Sequence, residues 1–163
     1  MLVALLRHGV AEDAGPQTGW RDEPRALTRQ GHDRMSAAAA GIARLGLAVD
    51  ALVTSPLTRC AQTARIVGDA IGLAPVPDER LRPGLDVARL IDVVLEHPEA
   101  ETLLVCGHQP DLSNVAADLT GGWIELKKGA LAVIDLEAPR PRAGLLLALY
   151  PPSTLRKLAR ARR

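Results

Sequence analysis

Short apolar runs alternate with longer segments of helical period along this chain. The runs are Leu2 to Leu6, Ala51 to Thr54, Thr102 to Cys106, Ala130 to Leu136 and Leu145 to Tyr150. Each has the length of a strand. Between the first two, Met35, Ala38, Ala39, Ile42 and Leu45 recur at three- and four-residue spacing. That spacing predicts a packed amphipathic helix over Thr28 to Leu45, with Thr28 as its N-cap. Pro56 to Ile71 repeats the pattern through Ala61, Ala64, Val67 and Ala70, and Gly72 stands where a C-terminal glycine belongs. Val87 to Glu96 and Asp111 to Leu119 are shorter helix candidates, while Pro75 to Asp86 and Glu12 to Ala26 read as loops. Strands alternating with helices predict an α/β fold with a largely parallel sheet.

Composition narrows the picture. With 163 residues, 47% of them hydrophobic, the chain can bury one good core, so a single domain over residues 1–163 is expected. No stretch reaches the roughly 20 apolar residues of a membrane span. The apolar start has no basic residue ahead of it and runs straight into Arg7-His8, unlike a cleaved signal. A soluble, cytoplasmic protein is the expectation. Cys60 and Cys106 show no metal-ligand spacing and read as reduced, buried thiols. A formal charge of +1 gives no reason to expect nucleic acid, and with Trp20, Trp123 and Tyr150 as the only aromatics, no stacking platform for bases or sugars is expected. The basic tail from Arg156 to Arg163 reads as a solvated helix end.

The candidate chemistry lies where three predicted strands end. Leu2 to Leu6 runs into Arg7-His8-Gly9, Ala51 to Thr54 into Ser55-Pro56-Leu57-Thr58-Arg59, and Thr102 to Cys106 into Gly107-His108. Ligand sites of open α/β sheets form beyond the carboxyl ends of parallel strands, so two arginines and two histidines can meet in one crevice. Ser55 as cap and Pro56 in the first turn would put Arg59 about one turn into its helix, leaning back toward the strand end. Arginine forks match phosphate oxygens, and flanking cations would keep His8 neutral and nucleophilic. Gly9 would let the backbone approach a ligand closely. His32 and His97 have no such company and read as surface residues. Without a His-x-x-x-His pair or clustered carboxylates, neither a metal nor another cofactor is expected. No Gly-x-Ser-x-Gly elbow, Walker loop or dinucleotide fingerprint occurs, and neither cysteine has an arginine six positions on.

The ordered set Leu6-Arg7-His8-Gly9, Arg25-Ala26-Leu27-Thr28 with Gly31, Thr54 to Thr63, and Gly107-His108 resembles the histidine phosphatase superfamily. Within it, Lys127-Lys128-Gly129-Ala130 and Tyr150-Pro151-Pro152 with Leu155 resemble the small bacterial phosphohistidine phosphatases of the SixA type. The resemblance implies a three-layer fold whose mixed, mostly parallel sheet is flanked by helices. It also implies that His8 is transiently phosphorylated while Arg7, Arg59 and His108 hold the phosphoryl oxygens. Arg25, with Asp22, matches a loop position near that subgroup's pocket, or else serves helix entry. Many relatives carry a carboxylate acid in the loop corresponding to Pro75 to Asp86. Here Glu79, and beside it Asp78, are candidates outside any copy of that motif. An alkoxide leaves poorly without a proton, whereas a protonated imidazole leaves readily, so the sequence favours phosphohistidine in proteins as substrate. A phosphomonoesterase of small phosphorylated metabolites using Glu79 or Asp78, and a non-catalytic phospho-ligand-binding module, are the alternatives; neither nucleic acid nor membrane is an expected partner.

Overall fold

The computed structural model describes residues 1–161; Arg162 and Arg163, the end of the basic tail, lie outside the described residues. In chain order the elements are β1 (Leu2–Arg7), α1 (Arg29–Ala43), β2 (Ala51–Thr54), α2 (Thr58–Ile71), β3 (Val76–Pro77) and α3 (Val87–Leu95). There follow β4 (Thr102–Gly107), α4 (Asp111–Thr120), β5 (Leu131–Leu136), β6 (Gly144–Tyr150) and α5 (Pro152–Arg160). One six-stranded sheet runs in the order β3-β2-β4-β1-β5-β6. Its β3-β2, β2-β4 and β4-β1 pairs are parallel, while β1-β5 and β5-β6 are antiparallel.

The sheet is covered on both faces, which gives the expected three layers. On one face Val3, Leu5, Val105 and Ile134 pack with Leu90, Val93 of α3 and Leu112, Val115 of α4. On the other, Ala4, Leu6, Leu104 and Val133 pack with Met35, Ile42 of α1, Ala64, Val67 of α2 and Leu155 of α5. Strands β1 and β4 are the innermost, and their middle residues are wholly buried. That double burial is why both read as continuous apolar runs. Thr28 caps α1 as expected, its hydroxyl accepting from the Gly31 N–H at 2.8 Å. Gly72 closes α2 in the left-handed region at φ 80°.

Two local expectations, both at the start of α2, are corrected. Helix α2 starts at Thr58, capped by the backbone of Leu57, so Arg59 is its second residue rather than a turn inside. Ser55 does not cap it because the hydroxyl is engaged by His108 at 2.8 Å and lies 3.4 Å from the Leu57 N–H. The loop from Pro75 to Asp86 contains the two-residue edge strand β3 and a 3-10 turn over Glu79–Leu81. Among the described residues no helix is long and apolar enough to cross a membrane.

Candidate active site

Strand register assembles the site. Arg7 of β1 pairs with Gly107 of β4, and Thr54 of β2 pairs with Cys106. The chain then continues past each parallel strand at the same level: the His8 N–H donates to the Gly107 carbonyl at 3.2 Å, and the Ser55 N–H to the Cys106 carbonyl at 3.0 Å. His8, Ser55 and His108 therefore leave neighbouring strands side by side, and the His8 and His108 rings lie 5.5 Å apart. A cleft of about 330 Å³ opens here, lined by Arg7, His8, Asp22, Arg25, Arg59, Pro83, Gly84, His108 to Asp111 and Lys128.

His8 is buried, and its Nδ1 lies 2.7 Å from the Gly9 carbonyl oxygen. A carbonyl only accepts, so Nδ1 carries the proton and Nε2 keeps its lone pair free. Burial, above all, holds the imidazole down at about 3, with Arg59, His108 and Arg7 adding to the effect against the raising bond to Gly9. The sequence ascribed this depression to the cations alone; desolvation is the larger cause. Gly9 has a packing role as well. A Cβ there would meet Met35 Cγ at 2.6 Å, so the glycine is required by packing against α1. The other support is Gly129, whose N–H donates to the carbonyls of Arg7 and His8 at 3.1 and 3.2 Å from a turn at φ 81° that favours glycine.

Arg7 donates from Nη1 to the Leu126 carbonyl at 2.7 Å, while its buried Nε has no partner. Burial lowers its pKa. Arg59, itself buried, donates to the Asp22 carbonyl at 3.0 Å and to the Asp22 carboxylate at 2.8 Å. Its Nη2 also lies 3.1 Å from His108 Nδ1. Guanidinium nitrogens cannot accept, so His108 Nδ1 is the acceptor and Nε2–H donates to Ser55. Both ring nitrogens of His108 are thus committed, and in this arrangement it steers Arg59. Arg25 donates to the same Asp22 carboxylate at 2.7 Å. Burial pushes the Asp22 carboxyl up, but its bonds to Arg25 and Arg59 outweigh that and lower it. Asp22 therefore stays a carboxylate, seated on the arginine that the sequence reserves for phosphate.

The acid candidates lie elsewhere. Glu79 accepts from Arg82, and Asp78 caps the 3-10 turn and pairs with Arg80. Neither lines the cleft, because each is captured by an arginine within three residues along its own loop. Lys128, Gln109 and Asp111 do line it and were missed as site residues. Lys128 alone left a signal, since it belongs to the Lys127-Lys128-Gly129-Ala130 segment. Both cysteines are free and buried, and Cys60 Sγ sits 3.5 Å from His108 Nε2. Contacts with Cys106 and His108 outweigh burial and lower the Cys60 thiol, while burial raises Cys106.

A family model of the histidine phosphatase superfamily, branch 1, matches residues 3–83, the stretch carrying Arg7, His8 and Arg59. An uncharacterised protein of Picosynechococcus sp. is 34% identical over 152 residues, 88% of this chain and 90% of that protein. The chain belongs to the histidine phosphatase superfamily. Among solved structures, the protein histidine phosphatase SixA complexed with tungstate superposes with a TM-score of 0.83 at 25% identity, covering 95% of this chain and 99% of that one. The α-ribazole phosphatase of Shigella flexneri shares the fold, with a TM-score of 0.72 at 18% identity over 93% of this chain and 97% of that one. Superfamily folds of this small size thus serve phosphatases of different named substrates.

The buried neutral histidine in this cleft has a consequence for stability. In the unfolded chain His8 takes up a proton near its ordinary 6.5, whereas the folded ring resists to about 3. Unfolding below pH 6.5 therefore binds a proton. The contribution is complete above pH 6.5 and declines by about 1.4 kcal/mol per pH unit as the pH falls toward 3. Urea melts of the wild type and His8→Asn at pH 7 and pH 5 measure it. The wild type is expected to lose about 2 kcal/mol more than the variant over that interval, and equal losses would contradict the burial argument.

Proposed function

We propose that this protein is a single-domain, metal-independent phosphatase that hydrolyses phosphohistidine in proteins through a phospho-His8 intermediate. Nε2 of His8 attacks phosphorus, the N–P bond of the substrate breaks, and the substrate imidazole leaves neutral with its proton on the other ring nitrogen. Arg7 and Arg59 take the phosphoryl oxygens as charge shifts, and His108 holds Arg59 in position. Water then attacks phospho-His8, releasing phosphate and restoring the neutral ring. Free, buried thiols support the cytoplasmic setting expected from the sequence.

The observation that carries this reading is the fate of the carboxylates. Glu79 and Asp78 are tied to Arg82 and Arg80 outside the cleft, and Asp22 is held ionised by Arg25 and Arg59. An alkoxide leaving group thus finds no evident acid in that loop, while an imidazole needs none from the enzyme. The likeness to a protein histidine phosphatase over almost the whole chain supports the same substrate class. Turnover of a phosphohistidine protein is expected to exceed that of sugar and nucleotide phosphates by about 10²-fold or more in kcat/KM, the usual contribution of a general acid. Comparable turnover of a sugar phosphate would overturn it.

A second reading rests on Asp111, the one cleft carboxylate without an ion pair among the described residues; it accepts from the Gly84 N–H at 2.8 Å. It would make the protein a phosphomonoesterase with Asp111 as proton donor. Asp111→Asn separates the two, since it abolishes ester turnover only under this second reading.

A further inference from the structure

Sharing Lys128 with the cleft of His8 is a smaller one of about 120 Å³. Gly9 and Gly31 form part of its floor, and Lys128 lines both hollows. Its remaining polar lining is Arg34 from α1 and Arg156 from α5, two helices that pack together. No acidic residue lines it, and among the described residues neither Arg34, Lys128 nor Arg156 has a carboxylate within ion-pair distance. Three like charges around one hollow repel each other, and an anion placed between them relieves that repulsion. The walls are apolar: Val10, Met35 and Pro152. An aliphatic stem with a charged end matches such walls and rim better than a bare inorganic anion does.

We propose that this second cleft is an anion site for an acidic side chain of the phosphorylated protein. The substrate is then read at two points, the phosphoryl group in the cradle and a neighbouring carboxylate between Arg34 and Arg156, with Lys128 shared. The inference rests on the protein-phosphohistidine reading for the identity of the carboxylate's owner, though not for the existence of the site. It also gives work to Arg156 of the basic tail, which the sequence treats as merely solvated.

A hexaglutamate peptide probes the cleft directly. Calorimetric titration of the full chain at low salt should show binding that survives saturating inorganic phosphate, because phosphate fills the other hollow. The double variant Arg34→Gln/Arg156→Gln, at one exposed and one half-buried position, should weaken that binding about tenfold, the combined effect of two charge contacts. Undiminished binding in the variant, or complete displacement by phosphate, overturns the proposal. Turnover is measured in parallel: the variant should raise KM for a phosphohistidine protein with kcat unchanged, and leave phosphoramidate turnover untouched. An equal effect on phosphoramidate would overturn two-point reading. If the wild type releases no phosphate from the phosphohistidine protein, the substrate reading fails, while the peptide titration still decides the cleft.

Discussion

Replacing His8 with alanine is expected to lower kcat for phosphate release by roughly 10⁴- to 10⁶-fold, the range seen when a covalent nucleophile is removed. The size follows from what the ring supplies. Its Nε2 lone pair is kept free by the Nδ1 bond to the Gly9 carbonyl, and burial keeps the ring unprotonated throughout the physiological range. No neighbouring group replaces it: His108 has both nitrogens engaged, and Cys60 lies wholly buried beneath it. Rapid acid-free quenching of the wild type should trap a phosphoenzyme that is lost in acid, and His8→Ala should form none. A variant that still forms the phosphoenzyme would move the nucleophile elsewhere.

Arg59→Ala is expected to reduce kcat by about 10²- to 10³-fold, the effect of losing one preorganised donor to a developing oxyanion. A second consequence distinguishes this arginine from Arg7. Arg59 is the hub of three bonds, to the Asp22 carbonyl, the Asp22 carboxylate and His108. Without it, Asp22 keeps only Arg25 as cationic partner, and the carboxylate oxygen that Arg59 held is left unpaired on the cleft lining. Affinity for inorganic phosphate should therefore fall further than the loss of one donor explains, and Arg59→Ala/Asp22→Asn should recover part of it. A double variant that binds phosphate no better than Arg59→Ala would show that Asp22 does not compete with the ligand. Steady-state kinetics and phosphate titration of the three proteins separate the two contributions.

How much of this is legible in the sequence depends on the kind of interaction. β1 and β4 were readable because burial on both faces leaves no alternation to interpret, only apolar length. The two-residue strand β3 was not, since Val76-Pro77 has no pattern and pairs only through its neighbour β2. Arg59 was found from its place after a strand, although its helix begins later than Pro56 suggests. His8, Arg7 and His108 were found for the same reason, because parallel strands fix where their successors emerge. Asp22 escaped as the partner of Arg59: 37 residues separate them, and no spacing rule spans a loop of irregular backbone. Glu79 stands outside the cleft lining for a local reason, since Arg82 three residues on pairs with it.

The strand order carries one more implication. The strand that ends in Arg7-His8 lies between β4 and β5, whose residues begin about a hundred positions later. During synthesis at about 5–20 residues per second, that strand waits roughly 5–20 s for its first neighbour. Until then its apolar faces are uncovered. A product that stalls before β4 lacks both the neighbour of β1 and His108, so it cannot assemble the cleft.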